Sequence, residues 1–139
     1  METTSVLIVD DEQEFASTLA ERLELRGLAA TSVASGEEAL DRLRGHLEVP
    51  DVVILDLKMP GIDGLEALVA IKSLEPQVEV ILLTGHGSSE AGIAGMQRGL
   101  FDYLMKPVDI AELVDKIGEA AARRRRSLAA EADAPAAPR

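Results

Sequence analysis

Asp10-Asp11, Asp56, Thr84 and Lys106 are polar residues with chemical potential, and each stands directly after a short apolar run. Val6-Leu7-Ile8-Val9 runs into Asp10-Asp11, Val52-Val53-Ile54-Leu55 into Asp56, Val80-Ile81-Leu82-Leu83 into Thr84, and the weaker run Phe101–Met105 into Lys106-Pro107. Three carboxylates brought close together cannot all stay ionised without help. A hard cation is the usual partner of clustered oxygens, and Mg²⁺ suits a site that also receives phosphate oxygens. With a cation there, Asp56 stays ionised and can act as a nucleophile, for which an aspartyl phosphate is an accepted covalent product. Lys106 would neutralise charge spreading over a transferred phosphoryl group, and Thr84 would donate from its hydroxyl. Gly85 and Gly87 keep the loop after Thr84 small and open.

For this chemistry the chain must bring the ends of those runs together. Unbroken β-branched and aliphatic stretches of this length read as strands buried on both faces. A fifth strand is expected at residues 28–34. Helices are expected between the strands. Residues 12–26 carry Phe15, Leu19 and Leu23 at helical spacing and stop at Gly27. Ser35-Gly36-Glu37-Glu38 has capping-box spacing and opens a helix through Arg44. Asp63-Gly64-Leu65-Glu66 opens another that ends near Glu75, ahead of Pro76. Ser88 or Ser89 opens a fourth ending at Gly99, and Asp109 a fifth with Ile110, Leu113, Val114 and Ile117 on one face. Strand and helix alternate five times, which predicts an α/β fold, a doubly wound parallel sheet with helices on both sides. In that architecture function collects at the carboxyl ends of the strands, where the polar residues above all lie.

The 139 residues suit one domain, and 47% are apolar. The aromatics are Phe15, Phe101 and Tyr103, so the core must be aliphatic. With no cysteine, disulfides and thiol chemistry are excluded, and a reducing, cytoplasmic location is compatible. The first residues have no signal-peptide pattern, and no apolar run approaches the ~20 residues of a membrane span. The net charge is −11, although residues 123–139 hold five arginines against Glu131 and Asp133. So acidic a body repels nucleic acid and anionic membranes and draws divalent cations. A folded unit over residues 1–122 is expected, with a tail over 123–139 in which Arg123–Arg126 is the frayed, solvated helix end and the Ala/Pro-rich remainder is disordered.

Taken in order, Asp10-Asp11, Asp56-Leu57-Lys58-Met59-Pro60-Gly61, Thr84-Gly85 and Tyr103-Leu104-Met105-Lys106-Pro107 resemble the receiver domain of bacterial two-component response regulators, over roughly residues 4–122. The resemblance implies a flavodoxin-like five-stranded parallel sheet of order 2-1-3-4-5. It implies Asp56 as phosphoacceptor, and Mg²⁺ or Mn²⁺ held by Asp10, Asp11, Asp56 and the backbone carbonyl of Lys58. It implies Thr84 with Gly85 and Tyr103 as the switch, Lys106 as the phosphate-contacting lysine, a cis Lys106-Pro107 bond, and Lys58 and His86 as residues that tune dephosphorylation. A histidine kinase or phosphotransfer protein would supply the phosphoryl group. A downstream protein would read the face of the fourth helix, fifth strand and fifth helix, where such domains often form homodimers. On this reading the chain is not an enzyme, apart from labelling and unlabelling itself, and it touches neither nucleic acid nor membrane.

Each residue also has a plainer reading. Asp-Asp or Asp56 after a strand can be a helix cap, Thr84 a turn residue, Lys106 a surface lysine, Tyr103 ordinary packing, and His86 and His46 solvated residues. The joint pattern decides for function at Asp10, Asp11, Asp56, Thr84, Lys106 and Tyr103, whereas His46 reads as a surface residue and for His86 the solvated reading stays ahead of the tuning role. Gly92 and Gly95 in the fourth helix each cost ~1 kcal/mol relative to alanine; they mark either a soft output element or a place of close packing. Two other functions remain open: a receiver fragment of a larger DNA-binding regulator or hybrid kinase, and, from another class, a haloacid dehalogenase-type Mg²⁺-dependent phosphatase. The latter family places Asp-x-Asp at the first strand, whereas here that strand ends Asp10-Asp11-Glu12.

Overall fold

The computed structural model describes residues 3–45, 48–85 and 89–133, Ser89 for its backbone only. Strands β1 (Ser5–Val9), β2 (Ala29–Val33), β3 (Val52–Leu55), β4 (Glu79–Thr84) and β5 (Asp102–Met105) alternate with helices α1 (Gln13–Glu24), α2 (Gly36–Arg44), α3 (Gly64–Leu74), α4 (Ser89–Gln97) and α5 (Ile110–Asp133). All strand pairs are parallel, in the order β2-β1-β3-β4-β5. The expected topology and sheet order are therefore present.

Alternation along the strands builds two cores. Leu7, Val9, Val53, Leu55, Val80 and Leu82 face one side, covered by Ala39, Leu40 and Leu43 of α2 and Ala67, Leu68 and Ile71 of α3. Val6, Ile8, Val52, Ile54, Ile81 and Leu83 face the other, covered by Ala16, Leu19 and Leu23 of α1 and Leu113, Ile117, Ala120 and Ala121 of α5. Every residue of β4 is buried, as expected for a strand with a helix on both sides.

The helix starts follow local chemistry. Ser35 Oγ accepts from the Glu38 amide at 3.1 Å, while the Glu38 carboxylate reaches back to the Ala34 amide. Asp63 and Glu66 form a reciprocal capping box. Gly27, at φ +85°, turns the chain out of α1. In α4, a Cβ on Gly95 would lie 2.8 Å from Leu100 Cδ2, so close packing accounts for that glycine; a Cβ on Gly92 would make ordinary contact with the Tyr103 ring.

The last helix departs from expectation. It does not fray at Arg123 but continues through Asp133. Arg123 pairs with Glu79, while Arg124 and Arg125 pair with Asp51. The arginines expected to fray are firmly helical, and residues 127–133, expected to be disordered, continue the helix, because Arg123, Arg124 and Arg125 find buried acids under the sheet. Residues 134–139 lie outside the described residues, as do His46, His86, Gly87 and Ser88. Among the described residues no helix is long and apolar enough to cross a membrane.

Candidate phosphoryl-transfer and metal site

The ends of β1 and β3 are locked side by side. Val9 pairs with Leu55, and the Asp56 amide donates to the Val9 carbonyl at 3.0 Å. This register places Asp10 and Asp56 next to each other, each only 3% exposed, with Asp11 exposed at the rim. One carboxylate oxygen from each of Asp10, Asp11 and Asp56 lies within 4.8 Å of the other two. Asp56 Oδ1 is buried and accepts no hydrogen bond from the described residues. A buried, charged oxygen without a donor is costly, and three converging acidic oxygens are the donor set that a hard cation takes. The residues present therefore fit a divalent cation.

Lys106 reaches the same place from the end of β5. Its Nζ donates to Asp10 Oδ2 at 2.7 Å and to Glu12 Oε1 at 3.2 Å, and it lies 4.1 Å from the centroid of the Phe15 ring. Its amide donates to the Thr84 carbonyl at 3.0 Å, which ties the ends of β4 and β5 together. The Lys106-Pro107 peptide is cis, as the resemblance implied. Burial raises the Asp10 carboxyl above its ordinary value, aided by the charge of Asp56 and opposed by Lys106 and the Glu12 amide. For Lys106, burial pulls downward, but the hydrogen bond to Asp10 and the charges of Asp10 and Asp56 outweigh it, so its pKa is raised.

Thr84 is fully buried at the end of β4, and Gly85 beyond it is exposed, with no described residue within 4 Å of where its Cβ would stand. Tyr103 is half-buried on β5; its ring lies against Gly92 and its hydroxyl donates to Met105 Sδ at 3.1 Å. Lys58 is exposed in the loop after β3.

Three residues that support the site were not singled out from sequence. Glu12 and Phe15 hold the Lys106 ammonium; Phe15 was visible as a rare aromatic but read only as a core position of α1. Gly64 was read only as part of a helix start. Its amide donates to the Leu57 carbonyl at 2.7 Å, and a Cβ there would stand 2.4 Å from the Asp56 carbonyl oxygen. The start of α3 is thus pressed against the backbone that carries Asp56, an approach only glycine permits.

Comparison with known proteins agrees with this geometry. Residues 6–118 match the family model described as response regulator receiver domain. The chain is 42% identical over 113 residues to the DNA-binding transcriptional regulator NtrC of Klebsiella pneumoniae, covering 81% of this chain and 24% of that protein. It is 36% identical to the C4-dicarboxylate transport transcriptional regulatory protein DctD of Rhizobium meliloti, over 87% of this chain and 26% of that protein. The chain thus spans about a quarter of the length of these relatives. Among solved structures, a CheY-like receiver domain protein from Methanospirillum hungatei superposes with a TM-score of 0.84 at 28% identity, over 91% of this chain and 99% of that one. A receiver domain protein from Clostridium thermocellum does so with a TM-score of 0.83 at 35% identity, over 88% and 98%. With the family model matching most of its length, this chain belongs to the response regulator receiver domain family.

Proposed function

We propose that this receiver accepts a phosphoryl group on Asp56 and that Asp10, Asp11 and Asp56, with the Lys58 carbonyl, hold Mg²⁺ or Mn²⁺ for that step. The observation that carries this is the convergence of the three carboxylates within 4.8 Å, beside a Lys106 ammonium held on Asp10. An Asp56 carboxylate oxygen forms a bond to phosphorus as the donor's own bond to phosphorus breaks, and the leaving imidazole or acyl oxygen keeps that electron pair. The cation, when bound, supplies charge neutralisation at the phosphoryl oxygens. Lys106 is placed to share that duty. Water reverses the labelling by hydrolysing the acyl phosphate, at a rate to which Lys58 and His86 contribute.

Receivers are signalling domains, and the labelled state has to be read by another surface. A Thr84 hydroxyl drawn toward the phosphoryl group leaves space that the Tyr103 ring can enter. Phosphorylation then favours one of two arrangements of α4, β5 and α5, by no more than its differential interaction with the two. This face carries exposed Ile93, Met96 and Met105 around Tyr103. A histidine kinase or phosphotransfer protein is the phosphoryl source on this reading, and a protein partner or second copy the reader. A second reading, that the reader is an output unit attached to the receiver, is favoured by the relatives, of whose length this chain spans about a quarter.

The test is incubation with Mg²⁺ and acetyl phosphate followed by intact mass measurement. One added phosphoryl group is expected, and none after chelation or in Asp56→Ala. Unchanged labelling of Asp56→Ala would refute the assignment.

A further inference from the structure

The end of the sheet opposite Asp56 holds a second group of buried charges. Glu79, which opens β4, is 3% exposed, and Asp51, which precedes β3, is 8% exposed. The Glu79 amide donates to the Asp51 carbonyl, so the two sit on adjacent chains. Asp51 Oδ2 accepts from the Ser5 amide at 2.9 Å, and Ser5 Oγ accepts from the Asp51 amide at 3.2 Å. These bonds fix the Asp51 carboxylate but do not neutralise it, and a buried carboxylate without a cation is strongly unfavourable.

The cations come from the run at residues 123–125. Arg124 Nη1 donates to Asp51 Oδ1 at 3.0 Å, and Arg125 Nη2 lies 3.6 Å from Asp51 Oδ2 while donating to Thr4 Oγ1 at 3.0 Å. Arg123 Nε pairs with Glu79 Oε2, and its guanidinium lies 5.3 Å from the centroid of the Phe101 ring. Lys72 reaches Glu79 from α3 at 3.6 Å and donates to the Pro76 and Val78 carbonyls. About two turns further along α5, Glu131 accepts from the Gln77 side chain. The contacts thus run on past the arginines, along one line beneath β3 and β4.

We propose that Arg123–Arg125 form an intramolecular latch, in which the C-terminal turns of α5 are seated under the sheet as counter-ions for Asp51 and Glu79. The basic cluster, which by charge alone suggests a solvated tail or a polyanion contact, is committed to the domain's own floor. The direction in which the chain leaves the receiver is set by the same pairs. Lys72 alone does not replace the latch, because its ion pair is with Glu79, whereas the ion pairs of Asp51 among the described residues are with Arg124 and Arg125.

Two measurements on the intact chain test this. Arg124→Gln should lower the melting temperature by about 5 °C or more, and the same substitution in an Asp51→Asn background should cost less than half as much. Equal costs in both backgrounds would overturn the latch. If Asp51→Asn does not fold, hydrogen exchange of the wild type decides instead. Amides of residues 123–130 should be protected to within about tenfold of those at 113–121; exchange at the rate of an unfolded peptide would overturn the proposal.

Discussion

The Lys106 ammonium lies 2.7 Å from Asp10 Oδ2, across 96 residues of sequence, and makes the edge of β5 part of the acidic site on β1. It is the positive member of a buried cluster otherwise made of carboxylates, and both partners' ionisation depends on the contact. Lys106→Met should therefore slow labelling of Asp56 by about 10²-fold, the scale of losing one charge-stabilising donor. It should also move the Asp10 titration further upward, since Lys106 opposes the effect of burial there. Carboxyl-carbon NMR of wild type and variant would show this; an unmoved Asp10 would mean that the two do not interact in solution.

The raised Asp10 pKa has a consequence for stability in metal-free protein. A carboxyl whose folded pKa lies above its unfolded value of 3.8 binds its proton more tightly when folded. Its contribution to stability thus falls as pH rises from 3.8 through the raised folded value and is flat beyond it. Asp10→Asn removes this dependence. Relative to wild type, the variant should gain stability with rising pH across that window, as read by urea unfolding in chelator. A difference between the two that is constant with pH would contradict the burial of a charged Asp10.

Binding of a cation should relieve the same strain. At about ten times its dissociation constant, Mg²⁺ should add ~1.4 kcal/mol to the folded state, or about 5 °C in melting temperature. The shift should be lost in Asp56→Ala, which removes one of the converging carboxylates. An equal shift in that variant would place the cation elsewhere.

Phe15 supports Lys106 through its ring face, an interaction of ~0.5–2 kcal/mol. Phe15→Leu keeps an apolar side chain on α1 and removes only the ring face. Labelling by acetyl phosphate should slow several-fold while Mg²⁺ affinity, measured calorimetrically, stays within about twofold. Loss of Mg²⁺ binding instead would mean a general disturbance of α1.

Gly64 and Gly85 are opposite cases. A methyl group on Gly64 would meet the Asp56 carbonyl oxygen at 2.4 Å and Leu57 Cα at 2.7 Å, both backbone atoms, whereas one on Gly85 meets nothing within 4 Å among the described residues. Gly64→Ala should destabilise by about 2 kcal/mol and depress labelling by shifting Asp56. Gly85→Ala should leave the melting temperature nearly unchanged. Denaturant unfolding of both variants checks the contrast.

The strand ends were legible because each aliphatic run stops at a polar residue, and a parallel sheet gathers such stops at one rim. Asp10, Asp11, Asp56 and Lys106 could be brought together on that ground alone, and the sheet order and cis Lys106-Pro107 followed from family resemblance. The course of α5 past Ala121 was not legible. Residues 122–133 hold Leu128 as their single large apolar residue, so no apolar stripe announces a packed helix. What seats them is charge meeting charge at Asp51 and Glu79, residues that look like ordinary strand beginnings until the sheet is assembled. Gly64 escaped for a related reason: its constraint is the backbone of Asp56 and Leu57, just past the end of β3, which adjacent sequence does not reveal. Phe15 satisfies helical periodicity so well that its second contact, with Lys106, left no trace in the pattern.

Whether Asp56 itself carries the phosphoryl group is most directly decided by chemistry at that one carboxyl. Borohydride reduces an acyl phosphate to an alcohol, so the Mg²⁺- and acetyl phosphate-treated protein should yield, on peptide mapping, homoserine at position 56. Its appearance only when Mg²⁺ is present is the expected result. Reduction at another aspartate, or a stable phosphoester on Thr84 with position 56 unchanged, would contradict the assignment of Asp56 as acceptor.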